Sequence, residues 1–453
     1  MLTPSVQMKL ESVKKLIRRN AKVHLENLLL KLHPADIATI IKNLNEFERK
    51  KIWGYLAGKP ILSDVILEID NNQIIELLSQ MTSKEIALIL NEMETDDAAN
   101  ILRLIDDEER VKEIMQYMKK DDAGIVSELL QYPDDSAGSI MNPNFFALCE
   151  DVTVKEATKL LHKADDLEMV FYLYVIDQTG TLVGVISLRQ LILNPPEKLL
   201  KDIMTTDVIK VTVNMDKEEV AKIVERYDLL AVPVVDDQNK LAGIITVDDI
   251  IDVIRDETTE DIYKMAGTTE DELVLGNKSF SIAKVRLPWL LITFFGELIS
   301  GLVITFFHGR VKDFAILASF MPLIMAMGGN VGSQSATILI RGMALGKIIQ
   351  SDLFKVIFRE IRVGIIMGII LGGIISIVAP LWSSDVKLGM IVGIAMFSAV
   401  TFAAFTGTFV PALLIKFKFD PAVASSPFIS TLNDITGLSI YFSVSIALIH
   451  ILL

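Results

Sequence analysis

Five long apolar stretches fill residues 284–453, and no water-soluble core of ordinary size could absorb them all. A membrane-spanning helix needs about 20 mostly apolar residues, and each stretch meets that length. The expected spans are residues 287–307, 314–340, 363–381, 388–415 and 421–453, the last with its helix starting beyond Pro427. Glu297 interrupts the first, and Asp434 and His450 are the titratable groups of the fifth. Pro322, Gly328, Gly329 and Gly332 break up the second, and the glycines permit both close approach and unwinding.

Charge divides the chain at the same place. Residues 284–453 hold 12 Lys and Arg against 7 Asp and Glu, a balance of +5, within a total of −14. The part before them is therefore strongly acidic, at −19. Such a balance opposes nucleic-acid binding, which wants a basic face, and suits cations. One cysteine, Cys149, excludes a disulfide framework and any multi-thiolate metal site. The first twenty residues are polar and basic, and no signal peptide is read there. Arg341, Lys347, Lys355, Arg359 and Arg362 lie between the second and third spans, and Lys416 and Lys418 between the fourth and fifth. Positive loops stay on the cytosolic side, so the expected location is the cytoplasmic (inner) membrane, with a cytosolic N-terminus and the C-terminus outside.

Residues 1–133 are expected to be an acidic helical N domain. Apolar residues recur at three- and four-residue steps in Ile86, Ala87, Ile89, Leu90 and in Ala98, Ile101, Leu102, Ile105. Asn71, Thr82 and Thr95 are candidate N-caps. Stacked helical repeats and an irregular bundle both fit this pattern.

Residues 134–256 contain a duplication. The run VIDQTGTLVGVISLRQLI from Val175 aligns without gaps to VVDDQNKLAGIITVDDII from Val234. Each reads as strand, turn, second strand beginning near Gly184 or Gly243, then a Ser or Thr opening a helix. This resembles a tandem cystathionine-β-synthase (CBS) pair. Membership implies a regulatory nucleotide, ATP among the candidates, held by a Ser or Thr and an Asp three residues later. Thr246 and Asp249 match in the second repeat, with Arg189 a further candidate; the first has Ser187 with Gln190. A plain N-cap hydroxyl at Thr246 is the alternative.

Acids at membrane depth carry the chemistry. A central Asp costs about 2.5–3.5 kcal/mol on the insertion scale, so Asp434 should face a bundle interior or water. Around it Ser425, Ser426, Ser430, Thr431 and Asn433 crowd one span. Glu297 has fewer polar companions, and ion-path and packing roles both remain open. In the second span, Gly328, Gly329 and Asn330 open a run whose glycines and polar side chains suit either a cavity wall or a close helix interface.

The whole order (acidic helical domain, CBS pair, linking helix at 257–283, and five spans at 284–453) resembles the MgtE family of magnesium channels and transporters. The Gly-Gly-Asn-x-Gly-x-Gln-Ser run from Gly328 and the Asp-Pro-Ala to Asp-x-Thr-Gly run ending at Gly437 are similar to its two signatures. The resemblance implies a homodimer with a pore on the two-fold axis between the second and fifth spans. Asp434 matches the ion-holding position, and Gly328, Gly329 and Asn330 lie in the other signature. Hydrated Mg2+ is the implied cargo, a hard ion that sheds water reluctantly.

Seven acids fall between Asp248 and Asp261, on a helix expected to run to about residue 278. Like charges at i, i+3 and i+4 repel. Divalent ions bridging such carboxylates would compact the cytosolic part, and a ligand that prefers one state shifts the population toward it. The family resemblance makes Mg2+ that ligand and the linking helix a plug that shuts the pore. It carries over Asp96, Glu218, Asp228, Asp249, Asp252, Glu257, Glu260 and Asp261 as sensor ligands. Asn100 stands where an acid would complete an i, i+4 pair with Asp96.

A nucleotide-regulated divalent-cation carrier or membrane sensor, with the CBS pair as switch, is the alternative function. An enzyme is not expected. The spans lack His-Glu-x-x-His, and the GMALGKII run from Gly342 is one residue short of a phosphate loop.

Overall fold

A computed structural model describes residues 4–163, 171–269, 279–309, 314–383, 385–424 and 426–452. They form two compact units, Met1–Arg255 and Asp256–Leu453.

The first unit opens with ten helices: α1 (Pro4–Arg18), α2 (Lys22–Leu29), α3 (Pro34–Lys42), α4 (Glu46–Leu56), α5 (Ile61–Leu67), α6 (Asn71–Leu78), α7 (Ser83–Leu90), α8 (Thr95–Arg103), α9 (Glu108–Tyr117) and α10 (Lys120–Leu129). Alternate helices pack on one another, α1 on α3, α3 on α5, α5 on α7, α7 on α9 and α8 on α10. That pattern is a stacked superhelix, one of the two arrangements the sequence left open. Each helix is too short to be stable alone, and burying one apolar face against its neighbours holds it. Ile37, Ile40 and Ile41 of α3 and Ile86, Ala87 and Leu90 of α7 are all buried. Thr82 caps α7 through a reciprocal box with Glu85. The other two expected caps are displaced by one residue. Asp70 and Glu94 hold the N-cap positions, and Asn71 and Thr95 begin the helices.

The duplicated segment is two copies of a three-stranded sheet. In the first, β1 (Ala147–Cys149) pairs parallel with β2 (Tyr172–Ile176), which pairs antiparallel with β3 (Leu182–Ser187). The second repeats this with β4 (Val211–Thr212), β5 (Ala231–Val235) and β6 (Leu241–Thr246). The register is the same in both, with Val175 opposite Gly184 and Val234 opposite Gly243. Helices α11 (Val154–Leu161) and α13 (Lys217–Tyr227) join the parallel pairs, while α12 (Leu188–Leu193) and α14 (Val247–Ala266) follow the third strands. The repeats interlock reciprocally. Met204, opening the second, lies against Gly184 of the first, and Met141, opening the first, lies against Gly243 of the second.

Helix α14 was expected to run to about residue 278, but it ends at Ala266. Gly267 adopts φ +75°, which a residue with a Cβ rarely reaches. Gly267 N–H donates to the Lys264 carbonyl and Thr268 N–H to the Tyr263 carbonyl. Those two bonds form a Schellman stop. The remainder of the expected helix, residues 270–278, lies outside the described residues.

In the second unit, five helices are long and apolar enough to cross a membrane: Ser279–His308, Met321–Ala344, Gln350–Trp382, Val386–Lys416 and Ser426–Ile451. They are called the first to fifth membrane helices below. The second differs from expectation in its start. It starts at Met321, after a separate short helix, Phe314–Ala318. The buried Tyr441 hydroxyl donates to the Leu317 carbonyl at 3.0 Å, helping to satisfy the backbone at this break. From Met321 it then stays helical through Gly328, Gly329 and Gly332 instead of unwinding. Unwinding would strand backbone groups where no water can satisfy them. The glycines serve close packing instead. The fifth helix starts at Ser426, leaving Pro427 in its first turn, where its missing N–H costs nothing.

Candidate functional site

Three helices meet at Gly332. A Cβ there would fall on the side-chain amide of Asn433 in the fifth helix. One added at Gly407 of the fourth helix would strike the Gly332 backbone. Asn433 is 1% exposed, and its Oδ1 accepts from Thr406 Oγ1 at 2.5 Å. Its Nδ2 has no hydrogen-bond partner. This crossing fixes the fifth helix beside the glycine-rich run, and Asp434 is the next residue along.

Asp434 is half-buried, and its Oδ1 is enclosed with no hydrogen-bond partner among the described residues. The Glu297 carboxyl of the first membrane helix is its neighbour. Gly296 permits that approach, since a Cβ there would collide with Thr431. Two acids side by side in an apolar helix bundle require a cation, a proton or water between them. Toward the start of the fifth helix, Ser426, Ser430 and Asp434 recur at four-residue steps and so share a face. Ser333 of the second helix meets Ser426 Oγ at 3.0 Å and Ser430 Oγ at 3.3 Å. Gly329 lies against Ser430, whereas Asn330 is exposed. The helix face beside Asp434 thus carries a line of oxygens, the donor type a hydrated hard cation prefers.

Another buried acid escaped the sequence reading. Glu360, in the third membrane helix, is 4% exposed. It accepts from Ser335 Oγ at 3.1 Å and from Arg359 Nε and Nη2 at 3.2 and 3.1 Å. Its position among Arg359 and Arg362 made it look like part of a polar loop.

A separate acidic cluster forms within the first unit. Asp96 in the first turn of α8 is 4% exposed, and its Oδ1 has no partner. Burial, then the charges of Asp97, Asp249 and Glu94, push its pKa well above the ordinary range. Burial, then Asp249, Glu94, Asp248 and Asp252, raise Asp97 to about 7. Burial also raises Asp249 to about 6, against the lowering effect of its hydrogen bond from Thr246. These acids feel one another's charge, yet no three His, Cys, Asp or Glu converge to metal-ligating distance among the described residues. Asn100 is exposed. Glu94 also holds the side chain of Asn142, tying the superhelix to the CBS pair.

The other expected sensor residues are dispersed. Glu218 pairs with Lys222 at 2.8 Å, and Asp252 with Arg255 at 2.8 Å. Asp228 is exposed at the end of α13 with φ 51°. Glu257 and Asp261 lie on α14, each with an interaction partner. Glu260 pairs with Lys264 at 2.6 Å.

At the expected nucleotide site, Thr246 Oγ1 donates to Asp249 Oδ2 at 2.7 Å. Ser187 instead forms a reciprocal cap with Gln190, so its hydroxyl is committed to starting α12. Arg189 sits in the first turn of that helix.

Known proteins share this layout. A profile described as "Divalent cation transporter" (MgtE) matches residues 321–444, the MgtE intracellular N domain matches 32–135, and the CBS domain matches 137–196 and 200–256. The magnesium transporter MgtE of Bacillus subtilis (strain 168) is 38% identical over 437 residues, 96% of each chain. That of Thermus thermophilus is 32% identical over 430 residues, 93% of this chain and 94% of the other. Among solved structures, the soluble part of a magnesium transporter is 36% identical, covering 56% of this chain and 99% of that one with a TM-score of 0.50. The cytosolic domain of the Mg2+ channel MgtE in complex with ATP is 30% identical, covering 54% and 99% with a TM-score of 0.51. These matches over more than nine-tenths of the chain show that it belongs to the MgtE family of divalent cation transporters.

Proposed function

We propose that this protein passes hydrated Mg2+ across the cytoplasmic membrane, through a pore that includes Asp434, and that cytosolic Mg2+ closes it. One observation carries the transport half. Asp434 Oδ1 is enclosed and unpartnered beside Glu297, within a polar line bounded by Ser333, Ser426 and Ser430. A carboxylate so placed is costly unless it serves a passing cation. Mg2+ usually keeps several waters and is held by one or two carboxylates. Asp434 of each subunit of a homodimer, facing a shared axis with Glu297 beside it, would offer carboxylates to the ion, and conduction needs that binding to be weak enough to release. The pairing across that axis, the domain limits 1–133, 134–256, 257–283 and 284–453, the cytosolic N-terminus and the outward C-terminus are parts of the same proposal.

The regulatory half rests on the buried Asp96, whose Oδ1 has no hydrogen-bond partner among the described residues and which feels the charges of Asp97 and Asp249. Without a cation these acids repel. With one they hold the superhelix to the CBS pair. Proteoliposome flux with the two Mg2+ concentrations set separately tests both halves. Uptake should fall as internal Mg2+ rises at constant external Mg2+. Uptake indifferent to internal Mg2+ would remove the regulatory half, and absence of uptake at any internal level would remove the whole reading.

ATP is proposed as a second regulator of the same switch. Thr246 and Asp249 are already joined at the expected ribose position, and a similar cytosolic domain was solved with ATP. Asp249 then serves nucleotide and metal alike. Calorimetry with ATP on the protein and on Thr246→Ala should give binding only to the first.

A further inference from the structure

The end of α14 meets the pore domain through a cation that the chain itself supplies. Lys264 Nζ lies 2.6 Å from Glu260 Oε1 and 2.9 Å from Asp420 Oδ2. Glu260 is one turn back on the same helix. Asp420 lies 156 residues away and opens the Asp-Pro-Ala run that leads into the fifth membrane helix. Without the ammonium the two carboxylates would repel.

Two further contacts bring α14 to the same place. Met265 packs in a cluster with Ala336 and Ile340 of the second membrane helix and with Ala424 and Ile429 around the start of the fifth. Gly267, in its left-handed conformation, lies against Pro427, where an added Cβ would stand 3.0 Å from the ring. The helix end, the apolar contact and the ion pair all converge within three residues. They land where Ser333, Ser426 and Ser430 begin the polar line toward Asp434.

We propose that Lys264 is a tethered cation that holds the linking helix against the pore domain, so that part of the closing force needs no metal. This rests on the reading of α14 as the closing element. Two carboxylates bracketing one cation resemble a divalent site, but here a single charge on a short leash occupies it. Cytosolic Mg2+ acting at Asp96, Asp97 and Asp249 therefore completes a closure that Lys264 has already biased. A helix held only by metal would close at higher Mg2+ than this one does.

The test is the cytosolic Mg2+ concentration that half-closes the full-length protein in proteoliposomes. Lys264→Gln should raise it about three- to tenfold, the range for a partly exposed pair joined to a third charge. Saturating Mg2+ should still close this variant, because the ion can then take the ammonium's place between Glu260 and Asp420. Asp420→Asn should raise the half-closing concentration as well, and the double variant should match the single ones instead of multiplying them. Lys50→Gln, which removes the Lys50–Glu46 pair of α4, should leave it unchanged. An unchanged or lowered half-closing concentration in Lys264→Gln, or multiplicative effects in the double variant, would overturn the proposal. If wild type conducts Mg2+ but never closes, the failure belongs to the regulatory reading and not to Lys264.

Discussion

Replacing Gly332 with alanine probes the meeting point of the second, fourth and fifth membrane helices. The new methyl would land on Asn433 Nδ2, 3.0 Å from its Cγ and 3.2 Å from Ile429 Cγ2. Asn433 cannot simply swing aside, because it is 1% exposed and its Oδ1 holds Thr406. Forcing extra atoms into a packed site costs about 1–3 kcal/mol. Losing the Thr406 bond inside the bundle adds about 1–3 kcal/mol. A total near 4 kcal/mol, at about 2–4 °C per kcal/mol for a unit this size, lowers the thermal midpoint by roughly 10 °C. Asp434 adjoins Asn433, so Mg2+ flux should fall at least about tenfold as well. Gly373→Ala is the control, since nothing lies within 4 Å of a Cβ there. It should keep wild-type flux and a midpoint at or slightly above wild type, because glycine in a helix interior costs about 0.5–1 kcal/mol relative to alanine. Wild-type flux and midpoint in Gly332→Ala, measured by tracer uptake and by thermal unfolding in detergent, would refute the packing argument.

Other outcomes follow from the same structure. Asp97 and Asp249 have pKa values raised to about 7 and about 6. They hold protons more tightly in the folded state than unfolded, so metal-free packing of the superhelix on the CBS pair is favoured below about pH 4 and weakens as pH rises through 6 to 7. Limited proteolysis without metal should therefore be slow at pH 5.5 and fast at pH 8, and Mg2+ should slow it mainly at pH 8. Glu360→Ala leaves the buried Ser335 hydroxyl without its acceptor and the half-exposed Arg359 without its partner, a loss of about 1–3 kcal/mol. A lower midpoint and poor membrane yield should result, with Ser335→Ala milder at about 1 kcal/mol.

Much of the architecture was legible in the chain because the forces behind it are local. Membrane helices announce themselves by length and lack of charge. The CBS repeat shows as a gapless self-alignment, and the pairing of Val175 with Gly184 and of Val234 with Gly243 repeats it in register. Asp434 stands out because an acid in an apolar run has no inexpensive explanation. Two features were not settled by the chain alone. The glycine-rich run permitted both unwinding and close packing, and neighbouring helices decide for packing, since every backbone bond is worth keeping away from water. The acidic, apolar-striped α14 suggested a longer helix, although Gly267 carried the stop signal in plain view. Pairings across long sequence distances left no mark at all. Lys264 with Asp420, and Glu360 with Ser335, became visible only in three dimensions. Asp97 carries no distinguishing mark in sequence, and its burial and the charge of Asp249 become visible only once α8 is folded.

The most direct measurement is Mg2+ uptake into vesicles reconstituted with Asp434→Asn, beside wild type at equal protein and at low internal Mg2+. Asparagine keeps the shape and an oxygen but removes the charge. If that buried carboxylate is what steadies the passing ion, uptake should drop to the level of empty vesicles while the thermal midpoint stays at or above wild type. Uptake at the wild-type rate would contradict the account at its centre.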